Sequence, residues 1–164
     1  TYKGMAIRFN EDDARAMGRT AHGVRGIRLR EDDYVIGMEI AKEGAELLIV
    51  TEGGFGKKTD LSEYKIQTRG GVGIKTYTIT KQTGHIVGIK TVGENVDLMI
   101  ITSEGVIIRM DTADISTIGR STKGVRLVKL GDGVKVASIA LTEHEEEKGE
   151  SEEPEKTEFP EENA

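Results

Sequence analysis

Apolar residues in this chain come in short bursts separated by polar, glycine-rich stretches, and the bursts have two textures. Leu47-Leu-Ile-Val50 and Leu98-Met-Ile-Ile101 are continuous, as in strands buried on both faces. Met5-Ala-Ile-Arg-Phe9 alternates, with Met5, Ile7 and Phe9 on one side and Arg8 on the other. Ile27-Arg-Leu-Arg30 and Ile74-Lys-Thr-Tyr77 do the same, which predicts strands with one face toward a core. Tyr34-Val-Ile36 and His85-Ile-Val87 each begin a further strand, and Asp132-Gly133 predicts a tight turn before Val134-Lys-Val136. Helical periodicity is scarce; Asp12-Asp-Ala-Arg-Ala-Met17 allows one short turn. The pattern predicts an all-β chain of short strands.

The bursts recur. Thr1-Tyr-Lys-Gly4, Thr51-Glu-Gly-Gly54 and Thr102-Ser-Glu-Gly105 align, with the glycines 50 and 51 residues apart. Later come Gly18-Arg19-Thr-Ala-His-Gly23, Thr68-Arg69-Gly-Gly-Val-Gly73 and Gly119-Arg120-Ser-Thr-Lys-Gly124, at the same offsets. Four strands in about fifty residues, repeated, is the arithmetic of a propeller-like blade. The units run over about 1–46, 47–97 and 98–142. Thr1 aligns with residues that directly follow an apolar strand, and three blades fall short of the roughly four to eight of a closed ring. The expectation is therefore the C-terminal part of something longer.

Charge changes the picture only once it is located. The net charge of −6 would argue against a nucleic-acid partner, but residues 143–164 hold eleven glutamates against Lys148 and Lys156, or −9. Residues 1–142 hold 21 Lys/Arg against 18 Asp/Glu, or +3, with 20 of the 21 glycines and neither proline. The final segment repels itself and has little to bury, so it is expected to be a disordered acidic tail. A flexible anionic tail beside a cationic body is also a candidate competitor for the body's partner. With no cysteine, thiolate zinc sites, disulfide frameworks and cysteine nucleophiles are excluded. No apolar run approaches the ~18 residues of a membrane span.

Catalytic motifs do not survive inspection. Gly53-Gly-Phe-Gly-Lys-Lys-Thr59 looks like a phosphate loop, but Lys58 intervenes before the threonine and Thr51 stands where the first glycine is required. Gly70-Gly-Val-Gly73 leaves GxGxxG incomplete at Thr76. His22, His85 and His144 lack metal-ligand spacing, and Glu11-Asp12-Asp13 and Glu31-Asp32-Asp33 read as solvated turns without an equivalent in the third unit. No catalytic residue and no metal ligand is expected.

The cations are phased. Arg8, Lys58 and Arg109 share one position in the repeat, and Arg19, Arg69 and Arg120 share another. Arg25, Arg28, Lys57, Lys75, Lys123, Arg126 and Lys129 lie nearby. Phased cations make a stripe across stacked units. With aromatics at 4%, such a stripe suits the phosphates of duplex DNA better than single strands, which are bound on stacking platforms. A propeller-like scaffold for protein partners is the alternative. It would need exposed anchors from Tyr2, Tyr34, Tyr64, Tyr77, Phe9, Phe55 and Phe159.

Gly4-Met-Ala-Ile-Arg-Phe-Asn-Glu-Asp-Asp-Ala-Arg-Ala-Met-Gly-Arg19 with Gly23-Val-Arg-Gly-Ile27, Gly54-Phe-Gly-Lys-Lys-Thr59 with Tyr64 and Arg69, and Ile118-Gly-Arg-Ser-Thr-Lys-Gly-Val125 resemble late blades of the C-terminal domain of DNA gyrase A. The A-type subunit of topoisomerase IV is the nearest competitor. The resemblance implies a β-pinwheel of about six blades that exchange strands, three of them here, whose basic rim wraps DNA for ATP-dependent negative supercoiling. It implies no cofactor in this piece, with ATP and Mg2+ in other domains. It also implies assembly with the remainder of gyrase A, and with gyrase B, in a heterotetramer, and a bacterial cytoplasmic, chromosome-associated location without membrane contact. Gln67, Arg69, Gly70, Gly71 and Gly73 resemble the family's gyrase box, with Thr68 and Val72 in place of its cations.

Overall fold

A computed structural model describes residues 1–144. The strands are β1 (Met5–Ala6), β2 (Glu46–Thr51), β3 (Phe55–Asp60), β4 (Ile74–Lys75), β5 (Ile86–Val92), β6 (Val96–Thr102), β7 (Ile107–Asp111), β8 (Val125–Arg126) and β9 (Val136–Glu143). They form antiparallel sheets in the orders β5-β2-β3-β8, β7-β6-β9 and β1-β4. The four-stranded sheet is one complete blade, and its outer strand β8 comes from the following unit. The small sheet repeats that exchange one unit earlier: Met5 pairs with Lys75 as Phe55 pairs with Arg126. Between them, Gln67 N donates to Arg8 O and, one repeat later, Ile118 N donates to Lys58 O.

The continuous run in β2 is buried on both faces because it stands between two cores. Leu48 and Val50 pack with Leu98, Ile100, Ile115 and Val136. Leu47 and Ile49 pack with Leu61, Tyr64, Tyr77 and Ile86 on the other side. Each such side chain removed from water contributes roughly 1.5–3 kcal/mol. In β6, Leu98 and Ile100 are buried while Met99 and Ile101 are only partly so.

The strongest repeat signal in the sequence is a turn. Gly4, Gly54 and Gly105 have φ of +85°, +76° and +82°, the left-handed region that glycine enters at least cost. Their amides donate to Thr1 O, Thr51 O and Thr102 O at 3.0–3.1 Å. After the second strand of each unit an Asx cap starts a one-turn 3-10 helix, where Asn10, Asp60 and Asp111 accept from the amides of Asp12, Ser62 and Ala113. The short turn expected within Asp12–Met17 forms instead at Glu11–Asp13; those in the other two units, Leu61–Glu63 and Thr112–Asp114, were not anticipated.

Several expectations need correction, among them the alternating stretch 5–9, which is a strand only at Met5–Ala6. Ile27–Arg30 and Tyr34–Ile36 form no strand, and the alternating stretch 74–77 is a strand only at Ile74–Lys75. Strand character requires a ladder neighbour, and among the described residues no strand pairs with 34–40, where Met38 and Ile40 stand 87% and 77% exposed. The first two residues of the segment expected to be a disordered tail, Glu143 and His144, are held in place. Glu143 pairs with Val96 at the end of β9, and His144 N donates to Asn95 O at 3.1 Å. The rest of that segment, 145–164, lies outside the described residues.

Candidate nucleic-acid interface

Strand exchange brings the loop of each unit against the first strand pair of the preceding one, and the phased cations sort there by what they touch. The first phase is structural. Arg8 donates through one guanidinium nitrogen to Leu61 O and Tyr64 O at 2.8 and 3.4 Å, tying the first unit to the 3-10 turn of the second. Lys58 pairs with Glu46 at 2.9 Å, and Arg109 with Asp97 at 2.7 Å. Among these, Lys58 has a side chain only 12% exposed.

The second phase does similar work. Arg69 donates to Arg25 O and Asp13 O. Arg120 occupies the equivalent place one repeat later and donates to Lys75 O, while its amide meets Glu63. These two guanidinium groups clip adjacent units together; Arg19 is exposed. Lys57 was expected on the rim and is not there. It is fully buried, with Nζ donating to Gly119 O, Arg120 O and Thr122 Oγ1. It alternates with Lys58 along β3 and therefore points to the opposite face.

A third phase remains outward. Arg25, Lys75 and Arg126, spaced 50 and 51 residues apart, are all exposed. Lys75 and Arg126 occupy equivalent ladder positions opposite Met5 and Phe55, and Arg126 lies 5.3 Å from the Phe55 ring centre. Arg28, Lys123 and Lys129 are exposed around them. The candidate cationic surface thus consists of Arg19, Arg25, Arg28, Lys75, Lys123, Arg126 and Lys129. The box-like residues carry the strand exchange: Gly70 N donates to Gly26 O, Gly71 O accepts from Arg28 N, and a Cβ on Gly73 would collide with Ala6 O.

Two side-chain clusters lay outside the sequence reading. Asp97 accepts from Arg109 and bonds His144 Nδ1 at 2.7 Å, with Asp111 3.7 Å from the same nitrogen. The hydrogen bond to Asp97 raises the His144 pKa, and the same bond lowers that of Asp97. The three could face a cation, but Arg109 already supplies the positive charge, so the cluster reads as an ion-pair knot at the end of β9. The spacing of 47 residues between Asp97 and His144 gave no signal. The second cluster is a ring stack in which Tyr2 lies between Tyr34 and His85, with centroids 4.6 and 4.1 Å away. Tyr64, Tyr77 and Phe55 are core residues, which leaves a protein-docking scaffold few anchors.

Known proteins resemble this chain over most of its length. The family model described as "DNA gyrase C-terminal domain, beta-propeller" matches residues 1–42, 45–92 and 97–143. The chain is 52% identical over 143 residues to the DNA gyrase A protein of Staphylococcus epidermidis (strain ATCC 12228) and 50% identical to that of Staphylococcus aureus (strain NCTC 8325). In each case the match takes in 86% of this chain and 16% of the relative. Among solved structures, the C-terminal domain of DNA topoisomerase IV superposes with a TM-score of 0.80 at 25% identity, over 87% of this chain and 45% of that one. A DNA gyrase A C-terminal domain gives 0.77 at 29%, over 84% and 47%.

Proposed function

The chain belongs to the DNA gyrase C-terminal domain family of β-propellers, and from that premise we propose that it holds and bends duplex DNA by its phosphates as part of a gyrase A protein. One observation supports this above the others: of the three phased sets of cations, the set at Arg25, Lys75 and Arg126 is exposed in all three units. A row of cations repeated from unit to unit meets successive phosphates without reading bases, so affinity is sequence-independent and specificity resides in DNA deformability. In this reading strand cleavage and ATP hydrolysis, with its Mg2+, belong to the remainder of gyrase A and to gyrase B in a cytoplasmic heterotetramer. The higher identity to gyrase A than to the topoisomerase IV domain favours supercoiling over decatenation as the parent activity.

The test is a triple charge reversal. R25E/K75E/R126E should weaken duplex binding more than tenfold at low salt. It should also flatten the dependence of log affinity on log salt by about 0.9 for each phosphate no longer neutralised. Reversal of Lys42, Lys65 and Lys81, exposed cations at unrelated phases, should cost distinctly less. Equal losses would overturn the reading, as would binding of the parent chain that is indifferent to salt.

A further inference from the structure

The carbonyls from Gly119 to Lys123 all turn back into the preceding unit. Gly119 O and Arg120 O accept from Lys57 Nζ at 2.8 and 2.5 Å. Ser121 O accepts from Thr78 Oγ1 at 2.5 Å, and Thr122 O from Thr78 N at 3.0 Å. Lys123 O accepts from the Tyr77 hydroxyl. Lys57 Nζ also donates to Thr122 Oγ1 at 3.2 Å and lies 5.3 Å from the Tyr77 ring centre. Its three N–H groups therefore meet three oxygens, and its charge meets a π face. Two carbonyls, a hydroxyl and a ring would suit a bound monovalent cation; a side-chain ammonium fills that place.

The neighbouring junction lacks this device. At the positions of Lys57, Tyr77 and Thr78 the first unit has Ile7, Ile27 and Arg28. Of the donors just described, its loop 68–73 keeps the backbone bond from Arg28 N to Gly71 O, at 2.8 Å. The third unit has Ile108 at the phase of Lys57.

We propose that Lys57 is a positioning residue for DNA: by drawing the carbonyls of Gly119 and Arg120 inward it fixes the 119–124 loop with Lys123 and its amide edge toward phosphate, making this junction the rigid anchor of the bound duplex. The proposal rests on the DNA-binding reading above. Among the described residues, none accepts from the amides of Ser121 and Lys123, and outward amides in a tight loop form an anion-binding edge. A loop fixed in advance does not have to be ordered when DNA arrives, which leaves more of the contact energy as affinity. The buried ammonium faces Glu63 from the 3-10 turn, Arg120 from the loop and the Tyr77 ring. Burial is the main cause that brings its pKa down to about 8, with the Arg120 charge acting the same way and Glu63 opposing. Burial likewise pushes the Tyr77 hydroxyl up to about 12, so it stays a donor throughout.

The experiment compares the 164-residue chain with K57M, K57A and, as a control for the loss of one charge, K65M at an exposed lysine. Amide NMR of residues 119–124 reads the loop, and fluorescence anisotropy with a labelled duplex reads binding. In the parent chain the loop resonances should titrate together with a midpoint near pH 8. In K57M they should shift and lose exchange protection while the two cores keep theirs, with duplex affinity falling about five- to tenfold and by more than in K65M. Propylammonium added to K57A should restore the loop resonances and part of the affinity. The proposal is overturned if loop resonances in K57M match the parent's, if the parent's own loop resonances do not titrate near pH 8, or if K57M binds as well as K65M. If the parent chain bound no duplex, the DNA reading would fail by itself, and the loop resonances would still decide whether Lys57 positions the loop. A K57M chain that did not fold would leave the parent titration and the K57A rescue to decide.

Discussion

At the scale of single residues, a cation's role in this chain is set by the group it faces. Arg8, Arg69 and Arg120 direct guanidinium hydrogen bonds to carbonyls of a neighbouring unit. Replacing them would loosen the junctions as well as remove charge, so they are poor probes of DNA binding. Lys57 has a different thermodynamic signature. Its ammonium is held down to about 8 against an ordinary 10.5, chiefly by burial. Between those values the unfolded chain binds the proton that the native chain has given up, so native stability rises with pH through this window. The tyrosines Tyr64 and Tyr77, both raised above 10.0, work the other way only above that value. Denaturation between pH 8 and 10 should therefore show stability climbing in the parent chain and flat in K57M. At pH 7, K57M should be less stable by about 1–3 kcal/mol because Arg120 O loses its lysine donor, while Gly119 O keeps its bonds from Thr122. A parallel climb in both chains would show that another group is responsible.

Elements are set by turns and by exchange. G105A should cost about 1–2 kcal/mol, the left-handed penalty alone, because no neighbour lies within 4 Å of its added Cβ. G54A incurs the same penalty and also brings Cβ to 2.8 Å from Val128 Cγ1 and Val128 O, so thermal denaturation should rank it well below G105A. The end of β9 has its own pH dependence. The raised pKa of His144 means that the imidazolium's bonds to Asp97 stabilise fully below pH 6.5 and are lost as pH rises through the folded value. Asp97, lowered, keeps its carboxylate through mild acid. Exchange protection of the amides at 142–144 should accordingly fall as pH is raised above 6.5, and H144A should abolish the trend. The turns were legible because a positive-φ glycine leaves its mark at a fixed offset. Strands at 27–30 and 34–36 do not form because a short apolar pattern reports a face and not a ladder: 26–28 makes only isolated bonds to Gly70 and Gly71.

Across the whole molecule, β2 joins the two cores, so loss of either one exposes a face of the same strand, and the units should unfold together. The acidic segment enters at this scale as charge alone. Removing residues 145–164 from the chain should raise duplex affinity at low salt several-fold, an effect that vanishes as salt screens it. No gain at low salt would remove the competition between tail and DNA. The box-like residues were legible as a motif, but their work in the strand exchange was not: Gln67 and Gly70 bond residues more than forty positions away.

The sequence by itself determined the repeat, its offsets, the all-β character and the segregation of charge, because each of these is a local or periodic property written in residue order. Only the tertiary structure decided which cations face outward. Adjacent lysines at 57 and 58 take opposite faces of one strand: Lys58 meets Glu46 on the neighbouring strand of its own sheet, while the partners of Lys57 arrive from the following unit by exchange. A side chain's surroundings in a strand-exchanged fold are assembled from distant parts of the chain, and neither phase nor composition records them.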